Sequence, residues 1–524
     1  MKKVLVLLFS LVACFISATG EYDIIPKPMS ITPVDAVITV DKSINVYVDD
    51  ALDKGYITEL FKEMHLALTF AKSPKNAFLS LAIDKNNRYD NDGYRLEITH
   101  KGKTRINAKA NTKSGLLNAM QSLRQLATIS SDGTVTIPCC IIEDAPSFPW
   151  RAFMLDESRH FQGMNAVKQL LDEMAYLKMN VFHWHLVDDP GWRIEIKKYP
   201  LLTSIGSKRD FSHREITPEG WDSIYSERAY YTQDEIREIV RYADARGISV
   251  IPEVEMPGHA SASIAAYPWL GSSSRKDGKP VWGDLYQVAD AKVMGFLEDV
   301  MDEVISLFPS KIVHIGGDEA GFVHWQNSDE VNAYMNANNI PTCSDLQLWA
   351  INKMSAYLAS KGCRMIGWNE ITGDNIRNEA HVEASQAFKL ADGSIVQFWD
   401  GEVSLVNKAI EKGYDVVNSN RFFTYLDYSY EATPLDKAYS FNPIPEGLSE
   451  KDRSKILGLG CQMWGEFTPD IKRVYYQTFP RIAAFAESGW TGGENKNYDE
   501  FCRRVQKTEH RWRKMGYLGQ QPSY

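Results

Sequence analysis

Short apolar runs recur along residues 146–524 at the length expected of buried strands. Most are separated by a segment whose apolar residues repeat at the spacing of a helix. Alternating strands and helices predict a parallel sheet, and eight repeats predict a (β/α)8 TIM barrel with long loops. A doubly wound open sheet is the alternative, but no glycine-rich dinucleotide motif follows any of these runs. The eight predicted strands are Phe153–Asp156, Val181–Val187, Ile248–Val254, Ile312–Ile315, Arg364–Trp368, Ile395–Trp399, Tyr414–Asn418 and Ile456–Trp464.

The helix between the second and third predicted strands has a clear start signal. Thr232 is followed three residues later by Glu235, the spacing of a capping box in which each side chain bonds the other's backbone. The helix then ends before Gly247, next to the third strand.

Residues 21–145 predict a separate, smaller α/β domain. Ala77–Ile83, Tyr94–Thr99 and Arg105–Ala110 are typical of strands, and the apolar residues of 116–126 then recur at helical spacing. The proline-containing stretch 144–149 marks the boundary with the barrel.

The first 20 residues predict an export signal. Lys2 and Lys3 precede a short apolar stretch, and small residues end the segment at Gly20. Cleavage there would release a periplasmic or extracellular chain that begins at Glu21. The sequence before Cys14 also resembles a bacterial lipoprotein motif, so lipid anchoring at Cys14 is the alternative.

Composition narrows the functional class. Of 524 residues, 44% are hydrophobic and 24% are charged, as in ordinary globular proteins. The net charge is −10, whereas a dedicated nucleic-acid binder needs a basic surface, so we expect no nucleic-acid partner.

Beyond residue 20 no segment is apolar enough to cross a membrane. The cysteines of that part lack metal-site spacing and are expected to be mostly free, buried thiols.

Acidic and tryptophan residues cluster where the predicted strands end. Because the active site of such a barrel lies at the carboxyl ends of its strands, these side chains are expected to meet. Carboxylates bind sugar hydroxyls and transfer protons, and indole faces stack on sugar rings. Together with an arginine, three histidines and a tyrosine at the same strand ends, these residues are Asp156, Arg159, His183, His185, Asp188, Asp189, Glu253, Glu255, His259, Asp318, Glu319, Trp368, Trp399, Tyr425, Asp427, Trp464 and Glu466.

The run Gly316-Gly317-Asp318-Glu319 is the sharpest of these signals. Two glycines at a strand end allow a tight turn and a close approach of the backbone to a ligand. Two adjacent acids disfavour double ionisation, so one is driven toward its protonated form. A protonated carboxylic acid is what a leaving glycosidic oxygen requires.

Several ordered motifs resemble glycoside hydrolase family 20, the β-N-acetylhexosaminidases. They extend from Ile25-Pro26-Lys27-Pro28 near the start to Trp464-Gly465-Glu466 near the end. Between these lie Asp156 with Arg159-His160-Phe161, His183-Trp184-His185-Leu186, Asp188-Asp189, Gly191-Trp192-Arg193, Glu255-Met256-Pro257-Gly258-His259, the Gly-Gly-Asp-Glu run, Gly367-Trp368 and Tyr425-Leu426-Asp427.

The resemblance implies an exo-acting retaining enzyme that removes terminal β-linked N-acetylglucosamine or N-acetylgalactosamine without a cofactor. Glu319 would be the general acid and base, Asp318 would orient the substrate's acetamido group, and Tyr425 would donate a hydrogen bond to its oxygen. That oxygen would attack the anomeric carbon and form an oxazolinium. Asp188 and His259 would position Glu319. Residues implied to hold the sugar are Arg159, Trp368, Trp399, Asp427, Trp464 and Glu466.

Two other functional classes are compatible with parts of this pattern. His183 and His185, two apart on a strand, also occur in metal-dependent hydrolases, where neutral imidazoles bind zinc. A non-catalytic glycan-binding protein would keep the tryptophans but would be expected to lose the acid. Because Asp318 and Glu319 are both present, the sequence favours hydrolysis.

Overall fold

The structure of the protein is a computed structural model. The predicted export signal at residues 1–20, with Cys14, lies outside the described residues. The structure describes residues 22–521 except 87–91, 101–103, 210–226, 272–274, 277–278, 281–283, 375, 377–383, 386–388 and 520.

A mixed sheet with two helices forms the first part of the chain. The helices are Lys54–Glu63 and Lys113–Leu126. Across the sheet the strands lie in the order Ser30–Val40, Val135–Asp144, Tyr94–Thr99, Arg105–Ala110, Leu79–Ile83, Ser43–Val48 and Ala67–Phe70, and Thr128–Ile129 pairs with Val135–Asp144.

Two of the three strands predicted here have the predicted bounds, and the third begins at Leu79 instead of Ala77. The sequence analysis did not predict the edge strand Ser30–Val40. Of its residues only Ile38 and Val40 are buried, so a regular apolar alternation is absent.

Eight parallel strands close into a barrel, since the first pairs with both the second and the eighth. This confirms the predicted (β/α)8 fold. All eight predicted strands are present, although the first begins at Trp150. We number them barrel strands 1 to 8 in chain order: Trp150–Asp156, Val181–Asp188, Ser249–Val254, Ile312–His314, Arg364–Trp368, Ile395–Phe398, Asp415–Asn418 and Ile456–Met463.

Helices cover the outside of the barrel. The helix after barrel strand 2 has the predicted capping box, with Thr232 and Glu235 bonded reciprocally. The longer helices are Met164–Tyr176, Gln233–Ala245, Ala291–Leu307, Asp329–Ala337, Cys343–Ser360, Ser404–Glu411, Ile471–Thr478, Arg481–Trp490 and Tyr498–Met515. Shorter helices lie at Leu201–Ser204, Ser261–Ala266, Val323–Gln326, Arg421–Thr424, Leu435–Ser440 and Glu450–Arg453.

The inside of the barrel differs between its two ends. At the amino ends of the strands the filling is apolar and includes Trp150, Val181, Ile251 and Ile366. Toward the carboxyl ends the buried side chains become charged, as the next section describes. Uncompensated burial of charge is costly, so this end has the character of a functional site.

The described part of the chain contains no helix that is both long and apolar enough to cross a membrane. Its cysteines are unpaired, as predicted; Cys139, Cys140, Cys363 and Cys461 are buried, and Cys343 and Cys502 are partly exposed.

Candidate active site

The turn after barrel strand 4 requires both of its glycines. Gly316 and Gly317 have φ values of +67° and +97°, a region that side chains disfavour. A Cβ on Gly316 would lie 1.4 Å from the Glu255 carboxylate, and one on Gly317 would lie 2.6 Å from Ile371. The two glycines therefore leave room for Glu255 and Ile371 next to the turn that carries Asp318 and Glu319.

Asp318 is the more deeply buried acid of this pair. It is 7% exposed, and its Oδ1 has no hydrogen-bond partner among the described residues. Burial raises the pKa of Asp318 to about 7; His259 opposes this rise, and the Glu319 carboxylate adds to it. The sequence predicted that one of the adjacent acids would be driven toward protonation, and burial decides that Asp318 is affected.

His259 lies between the acid pair and the end of barrel strand 2. Its Nε2 is 3.7 Å from Asp318 and 3.8 Å from Glu319, and its Nδ1 is 3.2 Å from both Asp188 and Asp189. Burial opposes a charge on the ring, but the carboxylates, Asp188 first, hold the pKa of His259 well above its usual range. His259 therefore lies beside Glu319, and Asp188 contacts the other nitrogen of the His259 ring.

Arg159 joins three acids at the floor of the site. Its guanidinium lies 2.7 Å from Asp188, 3.1 Å from Asp156 and 3.8 Å from Glu466. It also lies over the Trp464 ring, 5.1 Å from the ring centroid. Its Nε has no hydrogen-bond partner within the described part of the chain.

Aromatic rings from four barrel strands form one wall. Trp399 and Tyr425 are stacked with centroids 6.3 Å apart, and Trp464 lies 6.0 Å from Tyr425 and 5.7 Å from Trp368. Trp368 ends strand 5, and Trp464 directly follows strand 8. Trp399 and Tyr425 follow strands 6 and 7. The four rings predicted to line a sugar pocket are thus contiguous.

Two further acids lie beside this wall. Burial raises the pKa of Asp427 to about 8, and the Glu466 carboxylate adds to the rise. Burial also raises the pKa of Glu466. The Oδ1 of Asp427 is buried and lacks a hydrogen-bond partner among described residues, so it is available to a ligand hydroxyl.

Two buried acids of the site had no predicted role. Glu370 accepts a hydrogen bond from Trp399 Nε1 at 2.9 Å, and burial holds its pKa well above the usual range. Glu255 lies under the glycine turn, fully buried, and burial and Asp318 raise its pKa in the same way. Glu370 follows a predicted strand end by two residues, and that position could have indicated it.

Histidines and acids at this end of the barrel form groups whose donor atoms are close enough to hold a metal. One group is His183, Glu253 and His314, and another is His185, Glu253 and Glu255. Within the first group, His183 Nε2 and His314 Nδ1 lie 2.8 and 2.9 Å from Glu253. Each of these two ring nitrogens therefore lies at hydrogen-bond distance from an oxygen of Glu253.

Comparison with known proteins assigns the chain to a family. A model described as glycosyl hydrolase family 20, catalytic domain, matches residues 148–493. The chain belongs to glycosyl hydrolase family 20. A second model, described as domain 2 of family 20, matches residues 21–145. Among the three functional classes considered from the sequence, membership of family 20 favours the glycoside hydrolase.

Relatives within family 20 have consistent names. A beta-hexosaminidase of Porphyromonas gingivalis is 35% identical over 536 residues, which cover 95% of this chain and 65% of the relative. The chain thus spans slightly less than two thirds of that relative's length. A beta-hexosaminidase of Vibrio furnissii is 33% identical, with coverage of 89% and 76%.

Solved structures of the family have the same fold. A crystal structure of a Bacteroides fragilis beta-N-acetylhexosaminidase has a TM-score of 0.80 and 31% identity, and the match covers 95% of this chain and 97% of that one. An exo beta-N-acetylglucosaminidase of Vibrio harveyi, in complex with N-acetylglucosamine, has a TM-score of 0.81 and 28% identity, with coverage of 95% and 78%.

Proposed function

We propose that this family 20 protein is an exo-acting, retaining β-N-acetylhexosaminidase that removes terminal β-linked N-acetylglucosamine or N-acetylgalactosamine from glycans. The observation that carries the proposal is the Asp318-Glu319 pair beside the aromatic wall of Trp368, Trp399, Tyr425 and Trp464. Two adjacent acids beside stacked rings suit a sugar that brings its own amide nucleophile, because one acid can bind the amide while the other transfers the proton.

In the proposed first step, Glu319 donates a proton to the glycosidic oxygen while the substrate's acetamido oxygen attacks the anomeric carbon. Asp318, in its ionised form, accepts the acetamido N–H and stabilises the positive charge that develops on nitrogen. Tyr425 donates its hydroxyl proton in a hydrogen bond to the attacking oxygen. The C–O bond to the leaving group breaks, and a cyclic oxazolinium remains.

In the second step, Glu319 takes a proton from water as that water attacks the anomeric carbon, and the oxazolinium ring opens. Two displacements at one carbon retain its configuration. Asp188 and His259 support Glu319 in both steps, because His259 contacts Asp188 through Nδ1 and Glu319 through Nε2.

The remaining residues of the site would hold the sugar ring. Arg159, Asp427 and Glu466 are buried or half-buried charged groups, and orphaned atoms of Arg159 and Asp427 could bind hydroxyl groups. Trp368, Trp399 and Trp464 would surround the acetamido methyl group. The exo action in this proposal is supported by the similarity to the exo beta-N-acetylglucosaminidase of Vibrio harveyi.

Two substrates and one variant test the proposal. We expect hydrolysis of an aryl β-N-acetylglucosaminide and a rate at least about 1000-fold lower for the matching β-glucoside, since the glucoside lacks the amide nucleophile. We expect Glu319→Gln to lose about 100- to 10,000-fold on poor leaving groups and much less on activated ones. Equal turnover of both sugars, or an unchanged rate of the variant on poor leaving groups, would contradict the mechanism.

We also propose that the protein is exported and loses residues 1–20, on the strength of the basic start, apolar stretch and small residues of that segment. Mass spectrometry of the mature protein would find Glu21 at the amino terminus. A diacylglycerol on Cys14 would instead identify a membrane-anchored lipoprotein.

A further inference from the structure

A row of alternating acids and imidazoles continues from the active site into the barrel. Glu253 Oε2 lies 2.5 Å from His185 Nδ1, His185 Nε2 lies 2.9 Å from Asp188, and the other Asp188 oxygen lies 3.2 Å from His259 Nδ1. We call these four residues the charge row. Its outer end is His259, whose Nε2 faces Asp318 and Glu319.

The inner end of the charge row is fixed by the strand register. Glu253 on barrel strand 3 pairs with His185 on strand 2 and with His314 on strand 4. Its carboxylate is fully buried and lies 2.8 Å from His183 Nε2 and 2.9 Å from His314 Nδ1. Trp368 Nε1 donates to it at 2.9 Å. A carboxylate with this many partners has one position available to it.

Glu253 also lies close to the backbone of the turn that carries Asp318 and Glu319. His314 Nδ1 accepts the N–H of Gly316 at 3.0 Å, so it has no proton to donate to the Glu253 oxygen that lies 2.9 Å away. The charge row therefore reaches the acid pair through His259, and His314 lies between Glu253 and the turn.

The four groups have alternating charges at neutral pH. Burial opposes a charge on His185, but the carboxylates on either side, Glu253 first, raise its pKa to about 10. Burial likewise opposes ionisation of Glu253, yet His185 and the other two imidazoles hold its pKa well below the usual range. For Asp188, Arg159 and His259 overcome the effect of burial and lower the pKa in the same way. Charges coupled at such distances respond to one another.

We propose that Glu253 and His185 are positioning residues for the hydrolysis described above: they hold Asp188 and His259 in place and set the net charge beside Glu319. The proposal rests on the proposed function, because it assigns to these two residues the pH range in which Glu319 can act as a proton donor.

Other charged groups face the charge row from the elements packed against it, and the variants below leave all of them in place. They are Asp156 on barrel strand 1, Arg159 after it, His183 on strand 2, Asp189 after it, Glu255 after strand 3, Asp284 before the helix Ala291–Leu307, His314 on strand 4, Asp318 and Glu319 in the turn after strand 4, and Glu466 after strand 8.

Two variants of opposite charge test the proposal. Glu253→Gln removes a negative charge, so Glu319 ionises more easily and the basic limb of the pH profile of kcat/KM moves down by roughly one pH unit. His185→Gln removes a positive charge and moves the same limb upward. In both variants we expect a larger loss of rate on poor leaving groups than on activated ones.

Glu157→Gln is the matched control. Glu157 is also a fully buried carboxylate at the end of a barrel strand, and it accepts hydrogen bonds from Trp184 Nε1 at 2.7 Å and from the Tyr231 hydroxyl. Its backbone N–H donates to the His185 carbonyl at 3.1 Å, but the hydrogen bonds of its carboxylate go to residues outside the charge row. We expect this variant to lower Tm without moving the basic limb. Folded Glu253→Gln and His185→Gln enzymes whose limbs do not move, or move the same way, would overturn the proposal.

A spectroscopic readout does not depend on activity. In ¹⁵N spectra of the wild-type protein labelled at histidine, we expect at least two rings that remain doubly protonated at pH 8.5, assigned to His185 and His259. One of them should disappear in His185→Gln. Absence of any such ring in the wild type would overturn the proposal even if no variant folds. Wild-type protein that shows the rings but does not hydrolyse the N-acetylglucosaminide would contradict the proposed function instead.

Discussion

Two residues beside the reacting position adopt backbone conformations that side chains disfavour. His259 and Glu319 have φ values of +50° and +47°. Such strain costs on the order of 1–3 kcal/mol for each residue and persists only when the surroundings determine the conformation. Here the surroundings are the acids on both sides of His259 and the glycine turn before Glu319. At His259 and Glu319 this backbone conformation sets the direction in which two side chains of the site point.

Asp427 shows how a site residue can lower stability. Its pKa in the folded protein is about 8, above the value of about 4 of an unfolded aspartate, because burial disfavours its charge. The fold is therefore unaffected by this group below about pH 4, and it is destabilised progressively as the pH rises to about 8. We expect Asp427→Asn to stabilise the protein by about 1–3 kcal/mol at pH 8.5 and by little at pH 4.5, measured by thermal unfolding.

Asp436→Asn is the control for that prediction, because Asp436 is an exposed carboxylate on a nearby short helix. We expect the Tm of Asp436→Asn to stay close to that of the wild-type protein at both pH values, because the substituted side chain is exposed. A loss of stability in Asp427→Asn at pH 8.5 would show that the ionised carboxylate is better solvated than its burial implies. Activity of Asp427→Asn should fall, since its carboxylate is proposed to hold a sugar hydroxyl.

The critical element is the short barrel strand 4 with the turn that follows it. The strand has only three residues, Ile312–His314, and the chain then turns through Gly316 and Gly317 above the Glu255 carboxylate. The positions of Asp318 and Glu319 therefore depend on two glycines that leave room for Glu255 and Ile371.

Gly316→Ala tests this dependence. The new Cβ would lie 1.4 Å from Glu255 Oε2 at a φ of +67°, so the turn and the carboxylate must both move. We expect kcat/KM to fall by about 100-fold or more, because displacements near 1 Å are enough for that. Gly321→Ala is the control in the same loop, since nothing lies within 4 Å of its Cβ position. Similar rates for the two variants would contradict this account of the turn.

At the scale of the whole molecule, a buried polar cluster joins the N-terminal sheet to the barrel. Lys178, which precedes barrel strand 2, donates to Asp144 at 3.0 Å and to the Tyr94 hydroxyl at 2.9 Å, and none of the three is exposed. Trp490 Nε1 donates to the other Asp144 oxygen at 2.8 Å. The two parts of the chain are thus held in one arrangement by charge as well as by apolar contact.

Lys178→Met should cost about 3–5 kcal/mol of unfolding free energy, because it leaves the Asp144 carboxylate buried without its cation. Denaturant unfolding followed by tryptophan fluorescence would measure the loss. Lys168→Met removes a lysine from the ion pair with Glu238 on the outside of the barrel and should cost no more than about 1 kcal/mol. Equal losses would mean that the buried cluster is not special. Adding Asp144→Asn to Lys178→Met should recover part of the stability.

Much of the barrel could be predicted because its signals are local. The period of apolar residues located all eight barrel strands, and the Gly-Gly-Asp-Glu run identified the acids. In the N-terminal sheet the period of apolar residues did not locate the strand Ser30–Val40. Nine of its eleven residues are at least partly exposed, so the spacing of apolar residues carries little information there. Periodicity reports burial on one face, so it works only where one face is buried.

Only the tertiary structure decided which charges meet. Glu253 contacts His185 and His314 because strands 2, 3 and 4 pair in one register, and burial raises the pKa of Asp318 to about 7. The residue types and their order along the chain were sufficient to predict a barrel, a pocket of acids and tryptophans, and the family resemblance. Proton affinity and side-chain contact depend on distance and dielectric between groups that are far apart in the sequence, so they arise only when the strands assemble.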